Sequence, residues 1–395
     1  MKHKLLIIGL GRVGLQVADL AIEKENIQVF GTVRQSSLRE GCGEIDNGNH
    51  GSNGNTVVRV PFDPVAVREN LFGCKDDQVA ASHVLFSIPL SREDDPIMEA
   101  VLNELKKWWK IHEEEDVDGT TKNSSDSSKV IGILSTTGVY GNHDGQAVTE
   151  NSKLLCTDNS NAELYRQFED DWISLSVGNV KKGDGIVRNC DDNRCDRRLS
   201  IFRCAGIYDS SRSALHTVYK NLETGKLIDP IQKLSSSVPT TGNKTNRIHS
   251  IDLARGVLSG MFHNENREDS NVESSVVRIY NLADNLPEVR SVVLSYAQEL
   301  LASIGVDQST FRADKVPTEL AETTKNIAKA NKTLLSRSSI TRQRRRERES
   351  KFVCNKRMRD ELLPEDGLFF PTYREGLRSI FDDPTTPWQQ RQLKK

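Results

Sequence analysis

The residues best suited to chemistry come first in the chain. Gly9-Leu10-Gly11-Arg12-Val13-Gly14 directly follows the apolar run Lys4-Leu5-Leu6-Ile7-Ile8. Glycines at this spacing suit a diphosphate. Gly9 permits a tight turn, Gly11 lets a pyrophosphate approach the backbone, and Gly14 lets a helix pack close to the strand. Val13, Val17, Leu20 and Ala21 then recur at helical spacing. A helix starting there, with Arg12 and Val13 in its first turn, offers free N–H groups and a positive dipole end to the phosphates. The run from Ile27 to Val33 reads as the next strand. A glycine turn by itself is a weak signal; one that leaves a strand and opens a helix in a βαβ unit is specific for a dinucleotide.

The end of that second strand selects the cofactor. An Asp or Glu there holds the ribose 2′-OH of NAD. This chain has Arg34 and no acid before Glu40. The planar fork of arginine matches a 2′-phosphate, so NADP is expected, with NAD as the other option. A solvated loop arginine is the plainer reading of Arg34. Asp63, after the third strand, is either an acceptor for the adenine amine or a turn former before Pro64. Ser87, closing the fourth strand, is placed with the cofactor-binding residues.

Ser135-Thr136-Thr137-Gly138-Val139-Tyr140-Gly141 follows the fifth strand. In an open α/β sheet the crevice lies at the carboxyl ends of the strands. Thr136 and Tyr140 are therefore the expected catalytic pair, acting on a substrate alcohol or carbonyl. The alternative is a turn with a tyrosine packed at its edge. His249, near Asp252, is either a substrate-pocket histidine or a structural one at a helix start. His143 and Asp144 have no third ligand nearby, so no metal is expected.

Strands must hold these groups in place. Apolar runs at 56–60, 83–88, 130–135, 199–204 and 276–280 add five to the first two, with helices expected near 97–111 and 163–175. Alternating strands and helices imply an α/β fold, a doubly wound parallel sheet in the order 3-2-1-4-5-6-7. Residues 1–215 form the expected dinucleotide domain, with polar insertions at 42–55, 112–129 and 178–197. Residues 216–395 carry the remaining sheet elements (247–283), interleaved with a small C-terminal substrate lobe. Polar stretches also cover 231–246 and 337–351.

Composition narrows the partners. The chain has 54 Lys+Arg against 56 Asp+Glu, a net charge of -2. A nucleic-acid partner is not expected from that balance, and the Arg-rich run at 342–351 reads as a solvated face. No run of 18 apolar residues occurs, so no membrane span is expected. Seven cysteines form no C-x-x-C pair, which fits free thiols in a reducing compartment. Met1 lies just before the first strand, so the expected location is cytoplasmic, or an organelle if sequence precedes Met1. Oligomeric state is not legible.

Several landmarks in order carry a resemblance. Besides the glycine turn and the 135–141 segment, they are Phe202-Arg203-Cys204-Ala205-Gly206-Ile207-Tyr208, Arg247-Ile248-His249-Ser250-Ile251-Asp252 and Tyr280-Asn281-Leu282-Ala283-Asp284. Together they resemble the extended short-chain dehydrogenase/reductase superfamily. Within it the chain is most similar to an atypical, NAD-dependent epimerase/dehydratase-like branch, and Lys356–Arg359 and Phe370–Leu377 fit that branch too. The resemblance implies a Rossmann fold and catalysis by a Ser/Thr, a Tyr and a Lys four residues after the Tyr. Thr136 matches the first. The other two fall at Asn161 and Tyr165, so the Tyr-x-x-x-Lys pair is missing. Arg212 matches a substrate-facing arginine, although the family's Gly-Pro is replaced by Asp209-Ser210. The expected activity is hydride transfer between NADP and a small hydroxyl- or carbonyl-bearing metabolite. The missing pair also fits a non-catalytic NAD(P)-binding protein that senses redox state or docks a partner.

Overall fold

A computed structural model describes residues 3–34, 56–73, 80–93, 95–110, 128–158, 160–177, 197–224, 244–262, 276–306 and 350–393. Seven strands form one sheet: β1 (His3–Ile8), β2 (Ile27–Val33), β3 (Val57–Pro61), β4 (His83–Phe86), β5 (Lys129–Thr136), β6 (Arg197–Cys204) and β7 (Val277–Leu282). Their order is β7-β6-β5-β4-β1-β2-β3, and every pairing is parallel. This is the expected doubly wound sheet.

The strands are apolar on both faces because helices cover both. Side chains alternate along β1. Leu5 and Ile7 face one layer, where α1 (Arg12–Ile22) and α6 (Ser250–Phe262) bring Val17, Ala18, Leu253 and Val257. Leu6 and Ile8 face the other. There α2 (Pro64–Phe72), α3 (Pro96–Lys110) and α4 (Asn161–Val177) contribute Leu71, Leu105, Trp109 and Trp172. The Trp109 and Trp172 rings meet edge to face at 6.4 Å, within the range that aromatic pairs prefer.

A third cluster joins α5 (Ala214–Glu223), α7 (Arg290–Ser303), α8 (Tyr373–Asp382) and α9 (Pro387–Leu393) through Leu215, Ala297, Leu377 and Trp388. Thr372 and Glu375 form a capping box at the start of α8. The short strand Gly206–Tyr208 pairs in parallel with Arg247–His249. Two boundaries are corrected. Lys129 and Arg197, placed at the ends of polar insertions, instead begin β5 and β6, because each anchors to a tryptophan carbonyl of α3. The rest of the insertions 42–55, 112–129 and 178–197 lies outside the described residues apart from position 128, as does 337–349.

Asp284, just past β7, is 2% exposed. Neither carboxylate oxygen meets a donor at hydrogen-bonding geometry. Burial pushes its carboxyl up from 3.8 to about 7, and the nearby Arg247 guanidinium and the backbone N–H groups of Arg247 and Leu286 offset only part of that. Folding therefore takes up a proton. This group's stabilising contribution is intact below the unfolded value and is lost as pH rises through about 7. A shift of about three units corresponds to a loss of up to roughly 4 kcal/mol. Asp284→Asn should remove the loss. Denaturant titrations of the two proteins should agree below about pH 3.8 and favour the variant by a few kcal/mol at pH 8. A gap that does not change with pH would refute the assignment.

Candidate functional site

The glycine turn is built by its neighbours. Gly9 sits at φ +100°, and a Cβ there would lie 2.5 Å from Ile88. Its N–H donates to Thr32 Oγ1 on β2 at 2.8 Å, and its carbonyl accepts from Ser87 Oγ beyond β4 at 2.6 Å. Ser87 thus shapes the turn from beneath, its proton committed to backbone oxygens. Thr32 does the same from the other side and escaped the sequence reading, since a strand threonine carries no special signal. A Cβ on Gly14 would lie 2.3 Å from the Gly9 carbonyl oxygen, so only glycine lets α1 start so close to β1.

Gly11 differs. A Cβ there would meet nothing within 4 Å. It is the N-cap of α1, no side chain caps the helix, and the first turn holds no acid. Open space beside uncapped N–H groups fits a pyrophosphate. Arg12, in that first turn, pairs with Asp209 at 3.2 Å. Arg34 is exposed one residue past β2. Asp63 Oδ1 accepts from the N–H groups of Val65 and Ala66 and caps α2, the turn-forming role.

At the exit of β5, Thr136 is half-buried and its hydroxyl oxygen accepts from Gly138 N–H at 3.1 Å. Tyr140 does not join it. The single-turn helix Thr137–Tyr140 swings its ring inward until it is wholly buried. The hydroxyl donates to Asn281 Oδ1 at 2.6 Å and accepts from Arg203 Nη1 at 3.0 Å. Burial raises its pKa above the ordinary 10.0. A catalytic role for Tyr140 is therefore corrected to a structural one. Tyr165, on α4, reaches the crevice instead. Its hydroxyl accepts from Leu90 N–H, past the end of β4, at 3.3 Å. Burial holds it above 10.0, with only that N–H opposing. Among the described residues no lysine or arginine shifts it.

Two expected substrate residues separate. Arg212 is exposed, and its backbone N–H donates to Asp209 at 3.0 Å. His249 is buried between Tyr208 and Phe370 and accepts from Ile251 N–H at 3.3 Å at the start of α6. Burial pushes it down to about 4, so it is neutral at pH 7. It is a structural histidine. Among the described residues no group of three His, Cys, Asp or Glu converges as a metal site would.

Behind the crevice lies a charge network the sequence reading missed. The Glu169 carboxylate on α4 receives Arg203 Nη2 at 2.7 Å and Nε at 3.2 Å, and Ser135 Oγ also donates to it. Arg203 Nη1 additionally donates to the Glu150 carbonyl at 3.2 Å. The available signal was an arginine set between Phe202 and Cys204 at the end of β6.

A doubly wound sheet whose first βα turn cradles open space at a helix N-terminus is a Rossmann-type dinucleotide fold. No family model matches the sequence, and no curated protein matches it. Solved structures do match it in fold. One is a conserved protein of unknown function from Silicibacter pomeroyi, at 20% identity and TM-score 0.56, over 98% of this chain and 100% of that one. Another is dTDP-glucose 4,6-dehydratase from Bacillus anthracis, in complex with NAD, at 12% identity and TM-score 0.57, covering 98% and 99%. A third is UDP-glucuronic acid 4-epimerase from Bacillus cereus, also with NAD, at 12% identity and TM-score 0.55, covering 96% of each chain. These neighbours share the Rossmann-type fold that the order of the motifs implies. Among the described residues no helix is long and apolar enough to cross a membrane.

Proposed function

We propose that the protein binds NADP and transfers hydride to or from a small metabolite bearing a hydroxyl or carbonyl, as an atypical epimerase/dehydratase-like oxidoreductase. The observation that carries this is the open space at Gly11 beside the uncapped start of α1. Backbone N–H groups of Arg12, Val13 and Gly14 would hold the pyrophosphate, and Arg34 the 2′-phosphate. The nicotinamide, when bound, supplies or accepts the hydride. Thr136 offers its hydroxyl proton to a substrate oxygen. Tyr165 stays neutral at pH 7, so it donates a hydrogen bond rather than removing a proton. The names of the solved neighbours make sugar nucleotides a sensible first panel.

The test is NADPH oxidation across sugar nucleotides and simple carbonyls. Thr136→Ala and Tyr165→Phe should each lower kcat/KM by about a hundredfold. Tight NADPH binding without turnover on any substrate would overturn catalysis. Among the described residues no lysine or arginine lowers the Tyr165 pKa, which favours that second reading, a cofactor-binding sensor or docking protein. Arg34→Ala separates the cofactors. It should weaken NADPH about 10- to 100-fold, the loss of one charge-assisted contact, and leave NADH unchanged. Equal loss for both would remove the 2′-phosphate role.

A further inference from the structure

We propose that Asp209 is a positioning residue for cofactor binding. It holds Arg12 in place at the glycine turn and ties that turn to the segment 209–213. The inference rests on the cofactor reading above.

One carboxylate does both jobs. Asp209 Oδ2 takes Arg12 Nε at 3.2 Å. Oδ1 accepts from Ser211 N–H at 2.9 Å, Ser211 Oγ at 2.6 Å and Arg212 N–H at 3.0 Å. With four donors on it, the side chain is fixed and only 10% exposed, while that of Arg12 is 32% exposed. Arginine is a long side chain that gives up rotamer freedom when it is ordered. An arginine held at Nε keeps its terminal nitrogens for an anion, and its ordering precedes binding instead of opposing it. The carboxylate's negative charge is met by Arg12 and the three other donors, so it does not set a bare anion against a pyrophosphate.

The experiment is NADPH titration by calorimetry on the full chain, with folding followed by circular dichroism. Arg12→Gln should weaken binding about tenfold, as one charge-assisted contact is lost. Asp209→Asn should weaken it about fivefold. The double variant should be no weaker than Arg12→Gln, because coupled residues are not additive. Ser211→Ala loosens the turn but keeps the ion pair, and should stay within about twofold of wild type, which a purely structural role for the turn would not allow to differ from Asp209→Asn. If Asp209→Asn does not fold, Arg12→Lys decides. It keeps the charge, loses the fork, and should bind about fivefold more weakly. Unchanged or tighter binding by Asp209→Asn, or wild-type binding by Arg12→Lys, overturns the inference alone. A wild-type protein that binds no NADPH overturns the cofactor reading and this inference with it.

Discussion

Gly11→Val should abolish NADPH binding and leave the fold intact, whereas Gly14→Val should damage the fold itself. The two positions lie three residues apart but meet different surroundings. At Gly11 the backbone has φ −79° and ψ −170°, extended values open to any residue. An added Cβ touches nothing within 4 Å, so no packing is lost. A valine would instead occupy the space a pyrophosphate needs. Affinity should fall by more than about a hundredfold, the loss of several charge-assisted hydrogen bonds together. At Gly14 a Cβ would lie 2.3 Å from the Gly9 carbonyl oxygen, which belongs to the backbone and cannot rotate away. The α1 helix would have to shift off β1, at about 1–3 kcal/mol or more. Thermal melts and NADPH titrations on both variants separate the effects. Retained affinity in Gly11→Val would show that the open space is not the cofactor's.

The fold was legible because its signals are local. Lys4–Ile8 is a continuous apolar run, and the turn and helix that follow are spelled by adjacent residues. The same holds at Val130–Ser135, so the strand order could be written down from the chain. The site was legible only where it is also local. Gly9, Gly11 and Gly14 act through backbone shape, and Asp63 caps the helix that Pro64 opens. Tyr140 and His249 depend on distant partners. Whether Tyr140 faces the crevice is decided by Arg203 and Asn281, 63 and 141 residues away in sequence. His249 is settled by Phe370 and Tyr208 closing around it. Nothing local explains Arg203 in β6, because the carboxylate that makes it tolerable comes from α4. Side chains whose surroundings come from other segments leave no spacing signal.

Glu169→Gln should be among the most destabilising single changes in the protein, and it should act without touching the cofactor turn. The Glu169 and Arg203 side chains are 1% and 4% exposed. Neither has water to fall back on. Removing the carboxylate charge leaves a buried guanidinium uncompensated, at about 3–5 kcal/mol. Replacing both partners by apolar residues, as in Glu169→Leu with Arg203→Met, should recover most of that loss, because no charge is then buried. Denaturant titration checks the comparison, and additive losses would mean the pair is not coupled. Tyr140→Phe tests the same network from its other end. It removes a hydroxyl that accepts from Arg203 and donates to Asn281, but Arg203 Nη1 keeps the Glu150 carbonyl. The cost should be about 1–2 kcal/mol of stability. Should hydride transfer be found, Tyr140→Phe should leave its kcat within about twofold, while Tyr165→Phe lowers it about a hundredfold. The opposite pattern would put the chemistry at the buried tyrosine, which would then have to be uncovered before a substrate could reach it.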